Sequence, residues 1–257
     1  VIEDRLKENY PDLPKVNSKT VYNFVQYVRR KENIFAPVHI RQTEAMDEVP
    51  YGSQAQVDFG EYKMRRSDKS CQKVYFFALV LSRSRFKYVF FQTQPFTGKT
   101  AVESHERAFE YIEGIPKMLL YDQDSVYLKS ENLGDYILAD DFHQYRNERN
   151  INVSFCRKAD PQTKGKIENV IGYIKHNFLR ARTFYDIDRL NEEALAWLKR
   201  TANGTPHSTT KKLPGDEWII EKDYLKVFNP TSIILKEKLP EYTVRKDNTV
   251  SYRGCFY

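Results

Sequence analysis

The strongest constraint on the fold of this chain is the order in which strand-like and helix-like patterns follow one another. Three strand-like segments come first, between residues 52 and 94, and the second of them is apolar on both faces. Helical and short apolar segments then alternate, with helices expected at 97–114, 133–150 and 166–181 and strands at 117–122 and 151–156. Sequential strands pair antiparallel, whereas strand–helix–strand units pair parallel. We therefore predict an α/β fold with a mixed five-stranded sheet and helices on both faces.

The patterns on either side of the sheet region divide the 257-residue chain into five parts. They are a helix pair at 1–32, a linker at 33–52, the core at 53–203, a loop-like connecting segment at 204–227 and a small β module at 228–257. The chain opens inside a helical pattern without an initiator Met and stops inside an alternating, strand-like pattern. We therefore expect both ends to be internal to a longer protein.

Composition and motifs exclude several classes of function. No apolar run approaches the roughly 20 residues that cross a membrane, so no membrane partner is expected. The three cysteines are far apart and form no CxxC pair, which favours a reducing interior over a disulfide framework. Histidine pairs at helical ligand spacing, phosphate-binding loops, dinucleotide-binding glycine motifs and serine-hydrolase elbows are all missing from the sequence. By elimination, the candidate chemistry belongs to carboxylates.

Three carboxylates stand out by their places in this order. Asp58 lies on the first strand, Asp122 ends the buried strand 117–122, and Glu168 lies in the first turn of helix 166–181. The carboxyl ends of strands are where the active sites of open α/β sheets gather. The three acids converge if the first and fourth strands are neighbours and the helix packs across them. Asp124 competes with Asp122 for its role.

A convergence of carboxylates favours hard divalent cations. Without cations, the acids would repel one another and raise one another's pKa. Mg²⁺ or Mn²⁺ with oxygen ligands suits such a cluster, and two ions can activate an attacking oxygen and stabilise a leaving oxygen in phosphoryl transfer. Each acid also has a structural alternative, because Asp58 and Asp122 could belong to turns and Glu168 could simply favour the helix N-terminus.

Positive charge is concentrated in two places. Residues 157–182 hold seven basic and two acidic side chains in a chain of net charge +6. This excess favours a polyanion such as nucleic acid, with a solvated surface as the alternative. The second helix of the N-terminal pair has one apolar face, formed by Val21, Phe24, Val25 and Val28. Its other face is polar and basic, as a major-groove reader requires, and an ordinary helical hairpin is an equal alternative.

The sequence blocks around the three acids resemble the catalytic segments of retroviral-integrase-like DDE transposases. These blocks are VDFG at Asp58, MLLYDQD at Asp122 and KGKIENVIGYIKHNFL at Glu168. The resemblance is to the IstA type of bacterial insertion-sequence transposase and extends over residues 1–257. It implies an RNase H-like core in which the three acids are the catalytic residues and the ligands of two Mg²⁺ or Mn²⁺ ions per active site. The YDQD block lacks the Asn-Gly that follows the second Asp in many integrases, so Asp124 stays open.

The same resemblance implies the reaction and the partners. The reaction is metal-dependent 3′-end cleavage of a bacterial insertion sequence, followed by strand transfer into target DNA. The implied partners are double-stranded DNA at the element ends and the target, further copies of the chain in a dimer or tetramer, and an AAA+ ATPase helper of the IstB type. The implied location is the bacterial cytoplasm, in association with the nucleoid when DNA is bound. Residues 1–32 correspond to a helix-turn-helix and residues 228–257 to the start of a C-terminal β-barrel.

Candidate DNA contacts come from the basic stretch and from the polar face of the second helix. They are Lys19, Tyr22, Asn23, Arg29, Arg30, Arg157, Lys158, Lys164, Lys166, Lys175, Arg180 and Arg182. Two other functions stay open: a nuclease of the same fold that does not join strands, and a non-catalytic DNA-binding assembly protein. The helix pair and the β module favour the transposase, because a transposase must bind specific DNA ends.

Overall fold

The structure is a computed structural model of the chain. It describes residues 2–10, 16–34, 48–121, 128–132, 135–138, 140–155, 167, 169–230, 251–252 and 255–256. The helices are α1 (Ile2–Asn9), α2 (Ser18–Lys31), α3 (Gly98–Tyr111), α4 (Asp140–Arg149), α5 (described residues 167 and 169–179), α6 (Ile187–Trp197) and α7 (Pro214–Glu221). The strands are β1 (Gln54–Arg66), β2 (Cys71–Leu81), β3 (Lys87–Gln92), β4 (Met118–Tyr121), β5 (Leu128–Asn132), β6 (Asp135–Leu138), β7 (Asn152–Phe155), β8 (Thr183–Phe184), β9 (Ser251–Tyr252) and β10 (Cys255–Phe256).

Strand β1 is the centre of the main sheet. It pairs antiparallel with β2, which pairs antiparallel with β3, and it pairs parallel with β4, which pairs parallel with β7. The order β3–β2–β1–β4–β7 contains all five predicted strands, and the short β8 adds a sixth by pairing with the far end of β1. The predicted mixed α/β sheet is therefore confirmed, with one more strand than expected.

The hydrophobic core covers both faces of this sheet. Every residue from Phe76 to Leu81 on β2 is at most 1% exposed. Because alternate side chains of a strand point to opposite faces, neither face of β2 is open to water. The predicted core stripes of α3 and α5 are buried as well, which confirms those two helix faces: Val102, Ala108, Phe109 and Ile112 on α3, and Ile167, Val170, Ile174 and Phe178 on α5.

The segment predicted as helix 133–150 begins differently. Asp135–Leu138 is strand β6, which pairs antiparallel with β5, and the helix α4 begins only at Asp140. The sequence of β6, DYIL, is rich in the aromatic and branched residues that suit a strand. The two aspartates at 140 and 141 are instead favourable at a helix start. The helical prediction was therefore wrong for β6 and correct for α4.

The connecting segment is helical where a loop was predicted. Pro214–Glu221 forms α7, and a 3₁₀ turn follows at Lys222–Tyr224. Pro214 stands in the first turn of α7, where its fixed φ and missing N–H cost nothing. Asp216 and Glu217 in the same turn favour the positive end of the helix dipole. The Pro-Gly pair that suggested a loop therefore starts a helix.

The carboxylate of Glu221 fastens α7 to the sheet. Glu221 is 0% exposed, and its two oxygens accept hydrogen bonds from the backbone N–H of Gly52 (2.9 Å) and of Ser84 (2.8 Å). Gly52 precedes β1, and Ser84 lies in the turn between β2 and β3. The buried carboxylate of Glu221 therefore joins three parts of the chain: the end of the linker, the β2–β3 turn and the connecting segment.

The second N-terminal helix, α2, packs less than the predicted hairpin requires. Asn17 caps it, with its side-chain oxygen accepting from the N–H of Lys19 (2.9 Å). However, no residue of α2 is buried, and Phe24 of the predicted apolar face is 65% exposed. The structure therefore gives α2 no buried inner face.

The first helix, α1, is fastened to the core by a cluster of ions. Glu8 Oε1 lies 3.0 Å from Arg182 Nη2 and 3.0 Å from Arg200 Nη2. Arg182 also pairs with Glu193 of α6, and its guanidinium lies 4.2 Å from the ring centroid of Phe178 in α5. Helix α1 thus contacts the segments that follow both α5 and α6.

At the C-terminus, β9 and β10 form an antiparallel pair, and the remainder of the predicted β module after residue 230 lies outside the described residues. Within the described parts of the chain, none of the helices combines the length and the apolar character needed to cross a membrane.

Candidate active site

The carboxyl ends of the parallel strands β4 and β7 lie together at one edge of the sheet, beside the first half of β1. Val57 of β1 pairs with Tyr121, the last residue of β4, and Tyr121 pairs with Phe155, the last residue of β7. Asp58 follows Val57 directly and is half-buried. The expected adjacency of the first and fourth strands is confirmed, and Asp58 lies beside the end of β4.

The carboxylate of Asp58 stands on a rigid and largely apolar stretch of β1. Its Oδ1 accepts a hydrogen bond from the backbone N–H of Phe59 (2.7 Å). The Phe59 ring packs against Phe96, with centroids 4.7 Å apart, and against Phe77 at 5.8 Å. Because adjacent side chains of a strand point to opposite faces, this aromatic packing lies behind Asp58 and holds its stretch of β1 in place.

A buried amide joins β1 to the start of α5. Gln56, two residues before Asp58, is 2% exposed. Its Oε1 accepts a hydrogen bond from the backbone N–H of Ile167 at 2.9 Å. Ile167 is itself 2% exposed. The described beginning of α5 therefore lies against the same strand as Asp58.

A buried histidine supports the end of β4. His105 of α3 is 0% exposed, with Nδ1 lying 2.7 Å from the Ala101 carbonyl oxygen and Nε2 lying 3.0 Å from the Tyr121 hydroxyl. A ring nitrogen that faces a carbonyl carries the proton, so Nδ1–H donates to Ala101 and Nε2 accepts from the Tyr121 O–H. Burial lowers the pKa of His105 to about 4 and raises the pKa of Tyr121 well above its ordinary value. Both side chains are therefore neutral near pH 7.

Two members of the predicted triad, Asp122 and Glu168, lie outside the described residues, as does Asp124. Their described neighbours Tyr121 and Ile167 both contact β1 at the edge that carries Asp58. Among the residues that the structure does describe, no group of three His, Cys, Asp or Glu side chains could hold a metal ion. The three-acid arrangement therefore stays a prediction.

The chemistry of this edge suits a hard divalent cation. Asp58 brings a carboxylate, whereas His105 has both ring nitrogens engaged with Ala101 and Tyr121 inside the core. Oxygen ligands are those that Mg²⁺ prefers, and a histidine held in this way is not a metal ligand. The residues present fit an oxygen-coordinated ion better than a zinc site.

The predicted DNA contacts fall into groups. Those on α2 are exposed: Lys19, Tyr22, Asn23, Arg29 and Arg30. Those between the last core strand and α5 lie outside the described residues: Arg157, Lys158, Lys164 and Lys166. Lys175 is half-buried in the π-helical stretch Ile174–Leu179 that ends α5, and Arg180 is exposed directly after it.

Arg182 differs from the other described members of this set in being buried. It is 7% exposed, and it pairs with Glu8 and Glu193 while lying over Phe178. Its charge is balanced by Glu8 and Glu193 inside the protein, so its guanidinium is less accessible to a DNA phosphate than an exposed cation is. The basic pattern counted this charge without its partner Glu8, which is 174 residues away in the sequence.

Sequence reasoning missed three residues of this edge: Gln56, His105 and Tyr121. The alternation of β1 placed Gln56 on the face of Asp58, which was its only signal. His105 is a polar residue on the buried face of α3, one helical turn after Ala101 and one helical turn before Phe109. The position of such a residue in its helix or strand indicates that it is buried. It does not identify the residue of another element that it contacts.

Comparison with known proteins connects this geometry to a family. Residues 51–161 match the family model described as the integrase core domain. The chain is 48% identical over 259 residues to the transposase for insertion sequence element IS21-like of Bacteroides fragilis, in a match that covers 100% of this chain and 50% of that protein. The chain is therefore similar to the IS21-type transposases. The transposase for insertion sequence element IS21 of Pseudomonas aeruginosa is 29% identical over 173 residues, covering 67% of this chain and 44% of that protein.

The chain spans about half the length of the curated relatives it matches. In fold, it is similar to a chain of the simian T-cell lymphotropic virus intasome, with a TM-score of 0.50 and 17% sequence identity, over 80% of this chain and 63% of that one. At this identity the likeness concerns the fold alone. The fold of the core is therefore RNase H-like, as the sequence blocks implied.

Proposed function

We propose that this chain carries the catalytic core of a DNA transposase. The reaction is metal-dependent cleavage at the 3′ ends of a bacterial insertion sequence, followed by transfer of those ends into target DNA. The observation that carries the proposal is that β1, β4 and the start of α5 meet at one sheet edge, in a chain 48% identical to an insertion-sequence transposase.

In this proposal Asp58, Asp122 and Glu168 are the catalytic residues and the metal ligands. Asp122 is joined by a peptide bond to Tyr121, and Glu168 is joined to Ile167. Adjacent Cα atoms are about 3.8 Å apart, so each acid starts close to a residue that contacts β1 beside Asp58. Proximity of the three chain positions supports the triad.

The cofactor of the proposed reaction is a pair of Mg²⁺ or Mn²⁺ ions per active site. When bound, such ions neutralise the carboxylates and promote in-line phosphoryl transfer. The chain's own contribution is to hold its carboxylates in place, with Asp58 on the central strand β1, which the Phe59–Phe96 contact packs against the core. Asp122 is preferred to Asp124, because Asp122 directly follows the last residue of β4.

The proposed substrate is double-stranded DNA at the element ends and at the target. Phosphate contacts fix the position of a protein on a duplex, and long basic side chains provide them. The candidates are Lys19, Tyr22, Asn23, Arg29, Arg30, Arg157, Lys158, Lys164, Lys166, Lys175 and Arg180. A dimer or tetramer would bring two element ends together, and an AAA+ ATPase helper of the IstB type would direct them to the target, on the nucleoid in the bacterial cytoplasm.

A joining reaction tests the proposal. The chain is incubated with Mg²⁺, a plasmid and pre-cut DNA carrying the ends of its own insertion element, and joined products are measured on a gel. We expect Asp58→Asn to lower the joining rate by at least about a hundredfold, because it removes a metal-binding charge. The matched variant Asp68→Asn changes an exposed carboxylate in the β1–β2 turn and should join at the rate of the unaltered chain.

Each other outcome has a defined meaning. Nicking of DNA without joined products would support a nuclease instead of a transposase. Binding of DNA with no cleavage or joining in Mg²⁺ or Mn²⁺ would support a non-catalytic DNA-binding protein. Joining that survives Asp58→Asn would overturn the assignment of the site.

A further inference from the structure

We infer that Gln56 is a positioning residue that sets the start of α5, and with it Glu168, against Asp58. The inference rests on the proposed function, because Glu168 is a catalytic residue only within that proposal. Gln56 acts through the backbone of Ile167 and has no part in the chemical step itself.

The contact is a buried hydrogen bond between distant segments. Gln56 Oε1 accepts from the Ile167 N–H at 2.9 Å, and the two residues are 111 positions apart in the sequence. Each residue is 2% exposed, so water cannot replace the bond when it is lost. A buried N–H without an acceptor costs free energy, so loss of this bond would destabilise the described start of α5.

The bond falls where a helix most needs an external acceptor. The first N–H groups of a helix have no partner within the helix, and a neighbouring side chain usually satisfies one of them. Ile167 is the first described residue of α5, and its acceptor comes from the central strand of the sheet. The strand therefore fixes both the place and the direction of the start of α5.

The spacing along both elements makes this bond specific to the proposed site. Gln56 and Asp58 are two residues apart on β1 and so share one face of the strand. Ile167 directly precedes Glu168. One hydrogen bond thus joins residues that lie close in sequence to two predicted metal ligands, Asp58 and Glu168. These two ligands lie in distant parts of the catalytic core.

Amide hydrogen exchange tests the positioning directly, without any metal or DNA. We expect Gln56→Met, which keeps the length of the side chain and removes the acceptor, to speed exchange of the Ile167 amide by about tenfold or more. The matched control is Gln54→Met, the same change at the half-buried position two residues earlier on β1, which should leave that amide unchanged. Gln56→Glu keeps an acceptor oxygen and should restore the protection.

The consequence for the site is measured in the joining reaction. Gln56→Met should raise the Mg²⁺ concentration needed for half-maximal joining by about tenfold, with unchanged affinity for element-end DNA, because one ligand is no longer held in place. Gln54→Met should match the unaltered chain. A protein that is merely destabilised would show a lower melting temperature without this shift in metal dependence.

The outcomes separate this inference from the proposed function. If the unaltered chain joins DNA and Gln56→Met matches it in both amide exchange and metal dependence, Gln56 is not a positioning residue. If exchange at Ile167 speeds up but the metal dependence stays the same, the bond is structural and the inference is also wrong. If the unaltered chain is inactive, the proposed function fails, and only the exchange result on Ile167 still applies.

Discussion

Buried polar side chains in this protein connect segments that are far apart in the sequence. His105 of α3 accepts from the Tyr121 hydroxyl of β4, and Gln56 of β1 accepts from the backbone of Ile167. Each is tolerated in the core because its polar atoms have partners. Both connections end next to a predicted catalytic carboxylate, so the packing of the core and the proposed site depend on the same residues.

The low pKa of His105 makes stability depend on pH. Its folded-state pKa is about 4 against an ordinary 6.5, so the unfolded chain takes up a proton first as the pH falls. The stabilisation is complete above pH 6.5 and is lost as the pH falls from there towards 4. We expect the free energy of unfolding to drop between about pH 7 and about pH 5, and His105→Gln to remove about 2 kcal/mol of that drop.

Urea unfolding at the two pH values measures this difference. His207 is a needed comparison, since burial and the charges of Lys87 and Arg85 also lower its pKa to about 4. His207→Gln should therefore remove its own share of the pH dependence and leave the share of His105. An unaltered pH dependence in His105→Gln would show that this histidine is not the group that titrates.

At the scale of elements, the register of β1 and β2 places the Phe76 ring directly against Gly60. Gly60 of β1 pairs with Phe76 of β2, and a Cβ added at Gly60 would lie only 2.2 Å from Cζ of the Phe76 ring. Phe76 is 0% exposed and packs against Phe91 at 5.5 Å between centroids, so its ring has little room to move. A glycine two residues after Asp58 therefore allows the aromatic layer to lie flat against the strand.

Gly60→Ala should destabilise the protein by about 1–3 kcal/mol, because the added methyl group overpacks a filled core. The matched variant is Gly172→Ala in α5, where nothing lies within 4 Å of the added Cβ. That change should be neutral or stabilise by up to about 1 kcal/mol, since alanine favours a helix more than glycine does. Denaturant unfolding compares the two. Equal effects would mean that the Phe76 ring moves aside freely.

The elements show where sequence patterns suffice and where they do not. The five main strands and the buried faces of α3 and α5 follow from periodicity, because burial of one face imposes it. The β5–β6 hairpin was missed because the helix predicted for α4 was extended backwards across β6. Asp58 could be found from its strand, but the partners of Gln56 and Arg182 could not, because only the folded chain brings them together.

At the scale of the whole molecule, the connecting segment belongs to the core. Glu221 of α7 accepts from Gly52 and Ser84, and the indole N–H of Trp218 donates to the carbonyl oxygen of Ile112 (2.9 Å). Beyond α7, the backbones of Lys226 and Ile115 form an antiparallel β-bridge. The segment predicted as a loop-like connection thus covers the edge of the sheet opposite the predicted active site.

Glu221→Gln tests how much this buried contact contributes to the free energy of unfolding. The substitution replaces one carboxylate oxygen by an NH₂ group, which would then face a backbone N–H, and it weakens two charge-assisted hydrogen bonds. We expect a loss of about 2–3 kcal/mol in the free energy of unfolding. Asp223→Asn, the equivalent change at an exposed position two residues later, should have no measurable effect. A loss of similar size in both would point to net charge instead of this buried contact.

The ion cluster at Glu8 has a mechanical consequence. One carboxylate holds the first helix to Arg182 and Arg200, and Arg182 follows the helix that begins against β1. Helix α1 is thus attached to the body of the protein through ion pairs. A displacement of α1 would therefore act first on Arg182 and Arg200, in the segments that follow α5 and α6.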